Sequence, residues 1–84
     1  MELKDTLTKM LSKDYKERLE AEYYQLVIRF EKLQVMLQKL DDGELEFESS
    51  CPRGLFNLQI RAMADYIAVL EARAMIENIP LEKM

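Results

Sequence analysis

The sequence feature that most constrains the fold is an apolar stripe in the first half of the chain. Leucine and aromatic residues recur there at alternating spacings of four and three residues. They are Leu19, Tyr23, Leu26, Phe30, Leu33, Leu37 and Leu40. This is the heptad pattern of a helix that packs against one partner helix. We therefore predict a long α-helix over residues 14–40, with Asp14 and Glu17 at capping-box spacing and Gly43 as a left-handed cap.

A second long helix is predicted over residues 52–78. Pro52 is typical of the first turn of a helix after a cap at Ser50 or Cys51, and Asn78 favours its end. The apolar residues of this helix form two neighbouring rows, and the polar strip that remains is narrow. One row is Phe56, Ile60, Met63, Ile67, Leu70 and Ala74, and the other is Leu55, Leu58, Ala62, Tyr66, Val69 and Ile76.

Two shorter segments complete the chain. Residues 1–12 are predicted as a short amphipathic helix that must dock on the rest of the chain, because an isolated helix of this length is marginal in water. Residues 41–51 are predicted as an acidic loop, since the stretch 41–50 has five carboxylates and no basic residue. Leu45 and Phe47 are expected to fold over the end of the hairpin. The 84 residues thus predict one all-α domain, an antiparallel hairpin of two long helices with a short N-terminal helix.

Composition excludes several classes of function. The chain has no histidine and one cysteine, so it lacks a disulfide framework, a Cys/His zinc site and a Ser-His-Asp triad. The helix carboxylates are interpreted as a solvated face, and they include Glu17, Glu20, Glu22 and Glu31. The sequence shows no basic stripe that would bind a nucleic acid polymer. It also shows no membrane span and no signal peptide. We expect a cytoplasmic, non-catalytic protein that needs no cofactor or metal.

The long helix over residues 14–40 has a second apolar set on the side opposite the heptad stripe. It consists of Tyr24, Ile28, Val35 and Met36. Because a hairpin of two helices buries one face of each, we predict that the chain assembles as a homo-oligomer. The alternative is a three-helix monomer with apolar side chains on its surface, which is common in soluble proteins.

The segment before the last helix combines several features that favour anion binding. A helix N-terminus, hydroxyl groups, an arginine and a glycine coincide at Ser50, Arg53 and Gly54. The alternative is that these residues only cap the helix. Cys51 lies at a helix N-terminus, where a thiol can act as a nucleophile, but the sequence offers no histidine or second cysteine to assist it, so we interpret it as a structural residue.

A second group of residues has the side chains that bind a nucleotide-sized ligand. Tyrosines stack on bases, and lysines and arginines neutralise phosphates. The candidates are the tyrosines Tyr15, Tyr23, Tyr24 and Tyr66 and the basic residues Lys16, Arg18, Arg29, Arg61 and Arg73. They would form a site if subunit contacts bring them together. The alternative is that the tyrosines belong to the core or to an interface, with their hydroxyl groups hydrogen-bonded.

Short motifs across residues 14–79 carry a resemblance to known proteins. They are Asp-Tyr-Lys-Glu-Arg-Leu at 14–19, Glu-Tyr at 22–23, Arg-Phe-Glu-Lys-Leu at 29–33, Cys-Pro at 51–52 and Met-Ala-Asp-Tyr-Ile-Ala-Val-Leu-Glu-Ala-Arg-Ala at 63–74. The pattern resembles small helical-hairpin proteins of phages and prophages, some of them grouped with a crAss-like phage protein. In size and helical-hairpin plan the chain is also similar to phage sponges that sequester the nucleotide signals of host defence systems such as CBASS and Thoeris.

These resemblances imply a phage anti-defence protein of the infected bacterial cell. Such a protein would bind a small nucleotide-derived immune signal without catalysis and hold it between subunits. The alternative is a protein-binding inhibitor of a host defence enzyme or a phage assembly adaptor. That alternative would use the acidic loop and the apolar faces against a protein partner.

Overall fold

A computed structural model describes residues 1–45 and 50–82, and all the regular structure in these ranges is helical. The helices are α1 (Leu7–Met10), α2 (Tyr15–Asp41) and α3 (Arg53–Ile76), and a 3-10 turn (Leu3–Thr6) leads into α1. α2 and α3 pack as an antiparallel pair, which confirms the predicted hairpin. Within the described ranges, no helix has the length and apolar content that crossing a membrane requires.

The start of α2 is fixed by hydrogen bonds from nearby side chains. A carboxylate oxygen of Asp14 accepts a hydrogen bond from the backbone N–H of Lys16 at 3.0 Å. In a capping box the Glu17 side chain would accept the backbone N–H of Asp14. Here Glu17 instead accepts a hydrogen bond from the Ser12 hydroxyl at 3.1 Å. The same hydroxyl accepts the backbone N–H of Asp14 at 3.0 Å. The chain is therefore held in a turn immediately before the long helix.

Both long helices end at a residue with positive φ. Gly43 follows α2 with φ 72°, and Asn78 follows α3 with φ 56°. The amide of Glu44 then donates back to the carbonyl of Lys39 at 2.9 Å, and the amide of Ile79 donates back to α3 at 2.8 Å. These bonds satisfy carbonyl groups that the helix ends leave open. Gly43 is the left-handed cap that the sequence predicts.

The start of α3 differs from the prediction. The helix begins at Arg53, and Pro52 occupies the cap position with an extended backbone (φ −60°, ψ 141°). The cap residue is therefore Pro52 and not the predicted Ser50 or Cys51. Because a proline side chain has no oxygen to accept the first amide groups, the helix begins with a backbone turn. In that turn the amide of Leu55 donates to the carbonyl of Pro52 at 3.0 Å.

The buried core lies at the open end of the hairpin, where α2 starts and α3 ends. It consists of Leu19, Tyr23, Tyr24, Val27, Leu70, Ala74 and Ile79. Leu70 has no exposed surface and Leu19 is 2% exposed. Toward the loop, Leu37 alone is buried within the described residues of 29–45 and 50–66. The rest of the α2–α3 contact there uses half-buried side chains, so the hairpin is most tightly packed at one end.

The N-terminal segment runs antiparallel along α2, on a face that α3 does not use. Three pairs mark its path: Glu2 with Lys32 (3.6 Å), Thr6 with Gln25 (2.8 Å) and Lys9 with Glu20 (2.5 Å). Ile28 and Ala21 lie on the same face, and both are buried. The expectation that this face must wait for another subunit is therefore wrong for Tyr24 and Ile28. Of the predicted second set, Val35 stays exposed, beyond the end of the N-terminal segment.

The two apolar rows of α3 have different surroundings. The row from Phe56 to Ala74 faces α2 and is half-buried or buried throughout. The other row is exposed, and we call it the α3 stripe. It consists of Leu55, Leu58, Ala62, Tyr66, Val69 and Ile76. Leu45 is half-buried, whereas the predicted position of Phe47 lies outside the described residues.

Candidate functional site

The open end of the hairpin brings two of the predicted ligand-binding residues together. Tyr15 is the first residue of α2, and Arg73 is in the last turn of α3. The hydroxyl oxygen of Tyr15 accepts a hydrogen bond from Nη2 of Arg73 at 2.5 Å. The same hydroxyl donates to Oε2 of Glu77 at 3.1 Å. We call these three side chains the Tyr15–Arg73 cluster, and all of them reach solvent.

The electrostatics of the cluster favour a charged guanidinium. The hydrogen bond to Tyr15 raises the pKa of Arg73, and the negative charges of Glu77 and Glu22 add to this effect. Glu77 follows the last residue of α3, where the helix dipole disfavours an acidic side chain. Its hydrogen bond with the tyrosine and its charge near Arg73 offset that cost. The cluster therefore holds a cation in a fixed position at an exposed helix end.

Tyr66 lies on the same side of α3 as Arg73. The two are seven residues apart, which is close to two helical turns and about 10 Å along the axis. Tyr15 is 42% exposed and Tyr66 is 43% exposed, so neither ring belongs to the core. An accessible guanidinium is thus hydrogen-bonded to one accessible tyrosine, and a second accessible tyrosine lies about two turns away on the same helix. This combination can stack on a base and contact a phosphate.

Arg53 lies at the opposite end of the hairpin and is engaged by its own chain. Its Nε donates to Oδ1 of Asp41 at 2.9 Å, and its Nη2 donates to Oδ2 of Asp41 at 3.1 Å. Its Nη1 donates to Oδ1 of Asn57 at 2.5 Å. The guanidinium lowers the pKa of Asp41, mainly through the hydrogen bond. We call this two-pronged pair the Asp41–Arg53 latch, because it joins the end of α2 to the start of α3.

An open cleft of about 240 Å³ adjoins the latch. Its polar lining includes Gln34, Gln38 and Asn57 beside the paired Arg53. An anion in this cleft would have to compete with Asp41 for the guanidinium. Ser50 and Gly54 are exposed nearby along the chain, and nothing lies within 4 Å of a Cβ built on Gly54. The predicted anion site therefore has its arginine already paired in this structure.

The remaining predicted residues are spread over the surface. The side chain of Arg18 donates to the carbonyl of Ser12 at 2.8 Å, which fixes the turn before α2. Lys16 and Arg29 are exposed on α2, and Arg61 is exposed on α3. Within one copy of the chain these side chains do not join the Tyr15–Arg73 cluster through any hydrogen bond or ion pair in the described ranges.

The other two candidate tyrosines, Tyr23 and Tyr24, are buried, and their hydroxyl groups have partners that sequence reasoning did not select. The hydroxyl of the buried Tyr23 donates to Oε2 of Glu71 at 3.3 Å. Burial, followed by the negative charge of Glu71, raises the pKa of Tyr23. The hydroxyl of Tyr24 accepts the backbone N–H of Glu82 at 2.9 Å. These two tyrosines follow the alternative interpretation, in which the ring is buried and the hydroxyl is hydrogen-bonded. The sequence signal that could have indicated the Tyr23 contact is Glu71, an acidic residue on the helix that packs against α2.

The helix carboxylates are used in contacts within the chain. Glu20 pairs with Lys9, and Glu17 accepts the Ser12 hydroxyl. Among the residues described, no three acidic or cysteine side chains come together in a group that could hold a metal ion. The predicted solvated face therefore holds for the exposed Glu31, whereas Glu17, Glu20 and Glu22 are half-buried.

Residues 13–76 match the sequence profile of the Sequestin family. The chain belongs to the Sequestin family. The match includes all of α2 and α3, and with them Tyr15, Tyr66 and Arg73, whereas α1 lies outside it. Neither the curated proteins nor the solved structures contain a match to this chain. The name Sequestin indicates sequestration of a molecule and does not specify which one.

Proposed function

We propose that this Sequestin is a phage anti-defence protein that sequesters a small nucleotide-derived immune signal. It acts in the cytoplasm of the infected bacterial cell, as a homo-oligomer and without catalysis. The family assignment supports sequestration, and the side chains at the open end of the hairpin support the nucleotide chemistry. The single observation that carries the proposal is the exposed guanidinium of Arg73 hydrogen-bonded to the exposed Tyr15, with the exposed Tyr66 about two turns away on α3.

Each side chain of this surface has a role in the proposed binding. The guanidinium of Arg73 presents parallel N–H groups that match two oxygens of a phosphate. Tyr15 and Tyr66 offer flat faces, and stacking of a base on such a ring contributes about 1–3 kcal/mol. Glu77 holds the Tyr15 hydroxyl from the other side. A sponge of this kind needs binding and release only, which agrees with a composition that has no histidine.

The decisive experiment identifies a released ligand. Purified protein is incubated with a panel of cyclic dinucleotides, cyclic trinucleotides and cyclic ADP-ribose isomers, washed free of unbound nucleotide and heated. Chromatography and mass spectrometry of the supernatant should recover one member of the panel in its original chemical form. Recovery of a hydrolysed product would contradict the proposal that the protein does not catalyse a reaction. Recovery of nothing would contradict nucleotide sequestration.

A protein partner is the second candidate function, and the α3 stripe favours it. Leu55, Leu58 and Val69 are each more than half exposed, and such residues in a row fit a protein surface better than a nucleotide. The protein would then inhibit a host defence enzyme or connect phage components during assembly. Replacing Glu44, Glu46 and Glu48 by Gln separates the candidates. If the protein sequesters a nucleotide, the affinity for it should hold or rise in this variant, because the removed negative charges repel a phosphate. A large loss of nucleotide affinity would instead favour a basic protein partner.

A further inference from the structure

The α3 stripe is an apolar surface that the described part of the chain leaves without cover. Its ends are Leu55 and Ile76, which at a rise of about 1.5 Å per residue lie about 32 Å apart. With a helix width of about 10 Å, the surface is on the order of 300 Å². Contiguous apolar patches of this size on soluble proteins are often sites of interaction. α2 is not available to cover the stripe, because it packs against the other row of α3.

The spacing of the stripe is that of a helix–helix seam. Leu55, Ala62, Val69 and Ile76 follow one another at intervals of seven residues, and Leu58 lies three residues after Leu55. This seven-residue repeat keeps one row of apolar side chains facing a partner helix. The accompanying positions three residues later are Leu58, Asp65 and Ala72, so one of them is charged. The small side chain of Ala62 lets two backbones approach closely. The partner that fits the stripe is therefore another long helix with the same pattern.

We propose that the α3 stripe is the interface between two copies of this chain, which pack their α3 helices antiparallel about a two-fold axis level with Met63. This inference deepens the homo-oligomer of the proposed function by naming its surface and its orientation. The stripe contains Tyr66 and runs beside Arg73. Each candidate ligand site therefore borders the second copy.

The charges beside the stripe favour the antiparallel orientation. Arg61 and Asp65 lie one turn apart on the same flank of the stripe. In an antiparallel pair whose two-fold axis is level with Met63, Arg61 of each copy lies level with Asp65 of the other, because both are two residues from that position. A parallel pair in register would instead set Arg61 level with Arg61 and Asp65 level with Asp65. Opposite charges across an interface fix its orientation, and like charges disfavour the alternative.

The carboxylates at the end of α2 favour the same orientation over a longer distance. Asp41, Asp42 and Glu44 place three negative charges at the loop end of the hairpin. Antiparallel packing brings that end toward Arg73 at the open end of the second copy. A parallel pair would place the acidic ends of the two copies side by side. These charges thus favour the same orientation as the Arg61–Asp65 pair.

Two alanines on α3 provide a matched test of the interface. Ala62 is in the stripe, Ala64 is about 200° away around the helix, and both are exposed. Light scattering on the ligand-free protein should give twice the chain mass of 9.9 kDa for wild type and Ala64→Glu. Ala62→Glu should give the mass of one chain and retain its helical circular dichroism. A wild-type monomer at 100 µM, or an Ala62→Glu variant that stays dimeric, would overturn the proposal.

Cysteine cross-linking tests the orientation separately. In a Cys51→Ser background, Leu55→Cys and Ala72→Cys variants are mixed and oxidised, and the linked peptides are identified by mass spectrometry. Antiparallel packing predicts links between position 55 of one copy and position 72 of the other. Links of position 55 with itself would contradict the orientation. A monomer that still releases bound nucleotide would refute this interface and leave the proposed sequestration standing.

Discussion

The two ends of the α2–α3 hairpin are held together in different ways. At the open end, buried leucine, alanine and tyrosine side chains form a continuous cluster. At the loop end, contact depends on half-buried side chains and on the exposed Asp41–Arg53 latch. An exposed ion pair contributes little to stability, whereas a buried leucine contributes several kcal/mol. The open end is therefore the stable foundation on which the Tyr15–Arg73 cluster is positioned.

The largest expected effect comes from a truncation in the open-end core. Leu70 has no exposed surface, so Leu70→Ala should lower the free energy of unfolding by about 2–5 kcal/mol. Ile60→Ala, on the same α2-facing row but half-buried near the loop end, should cost less. Chemical denaturation of both variants measures the difference. Equal losses would show that the two ends of the hairpin are equally well packed.

The next effect concerns ligand binding by the arginines at the two ends. Arg73→Gln should lower the affinity for the nucleotide that the panel experiment recovers by roughly tenfold to a hundredfold, because a charge-assisted hydrogen bond contributes about 1.5–3 kcal/mol. Arg53→Gln is the matched control, since its guanidinium is already paired with Asp41. Calorimetric titration compares the two. A larger loss for Arg53→Gln would move the site to the loop end, where the sequence placed an anion.

A smaller effect is expected from the buried tyrosine at the open end. Tyr23→Phe removes the hydrogen bond to Glu71 and should cost about 0.5–1.5 kcal/mol of unfolding free energy. Since the pKa of Tyr23 is raised above its usual 10.0, the hydroxyl stabilises the fold below that pH and loses this contribution as pH rises through the folded-state pKa. Alkaline titration of tyrosine absorbance should lose its latest phase in the variant. An unchanged titration would contradict the raised pKa.

The smallest effect should come from the latch. The folded-state pKa of Asp41 is lowered from 3.8, so its contribution is present above that pH and is lost as pH falls through the folded-state pKa. Asp41→Asn should remove this part of the acid sensitivity and leave stability at neutral pH nearly unchanged. Melting temperatures between pH 2 and 7 test it. A large loss at pH 7 would show that the latch stabilises the loop end more than an exposed pair normally does.

Much of the fold follows from local sequence patterns. The heptad spacing of α2, the carboxylate of Asp14 and the glycine after the helix correspond to features that act within a few residues. The cover of Ile28 by the N-terminal segment was not foreseen, because a helix this short shows a face but not the surface on which it docks. The α3 stripe could be recognised as a second apolar row, yet only packing shows which of the two rows remains exposed.

The candidate site was predictable by residue type and not by arrangement. Tyrosines and arginines were selected as a set, but their pairing depends on contacts between residues that are 58 positions apart, as in the bond from Arg73 to Tyr15. Arg53 had the strongest local signal, a helix N-terminus with a glycine beside it. That signal does not show that Asp41, at the end of the preceding helix, is within reach of the guanidinium. Glu77 was missed because an acid at a helix end normally indicates nothing more than solvent exposure.

The N-terminal segment touches α2 and makes no contact with α3 among the described residues, and it precedes the part of the chain that matches the Sequestin family. It is therefore a separable cover whose detachment would expose Ile28 and Ala21 without opening the hairpin core. Amide hydrogen exchange should report this as a partial opening, with residues 3–10 exchanging faster than the buried turns of α2. A relative that lacked the segment would expose an additional apolar face. The segment before α2 thus decides whether this apolar face of α2 is covered, while the hairpin itself is held by contacts between α2 and α3.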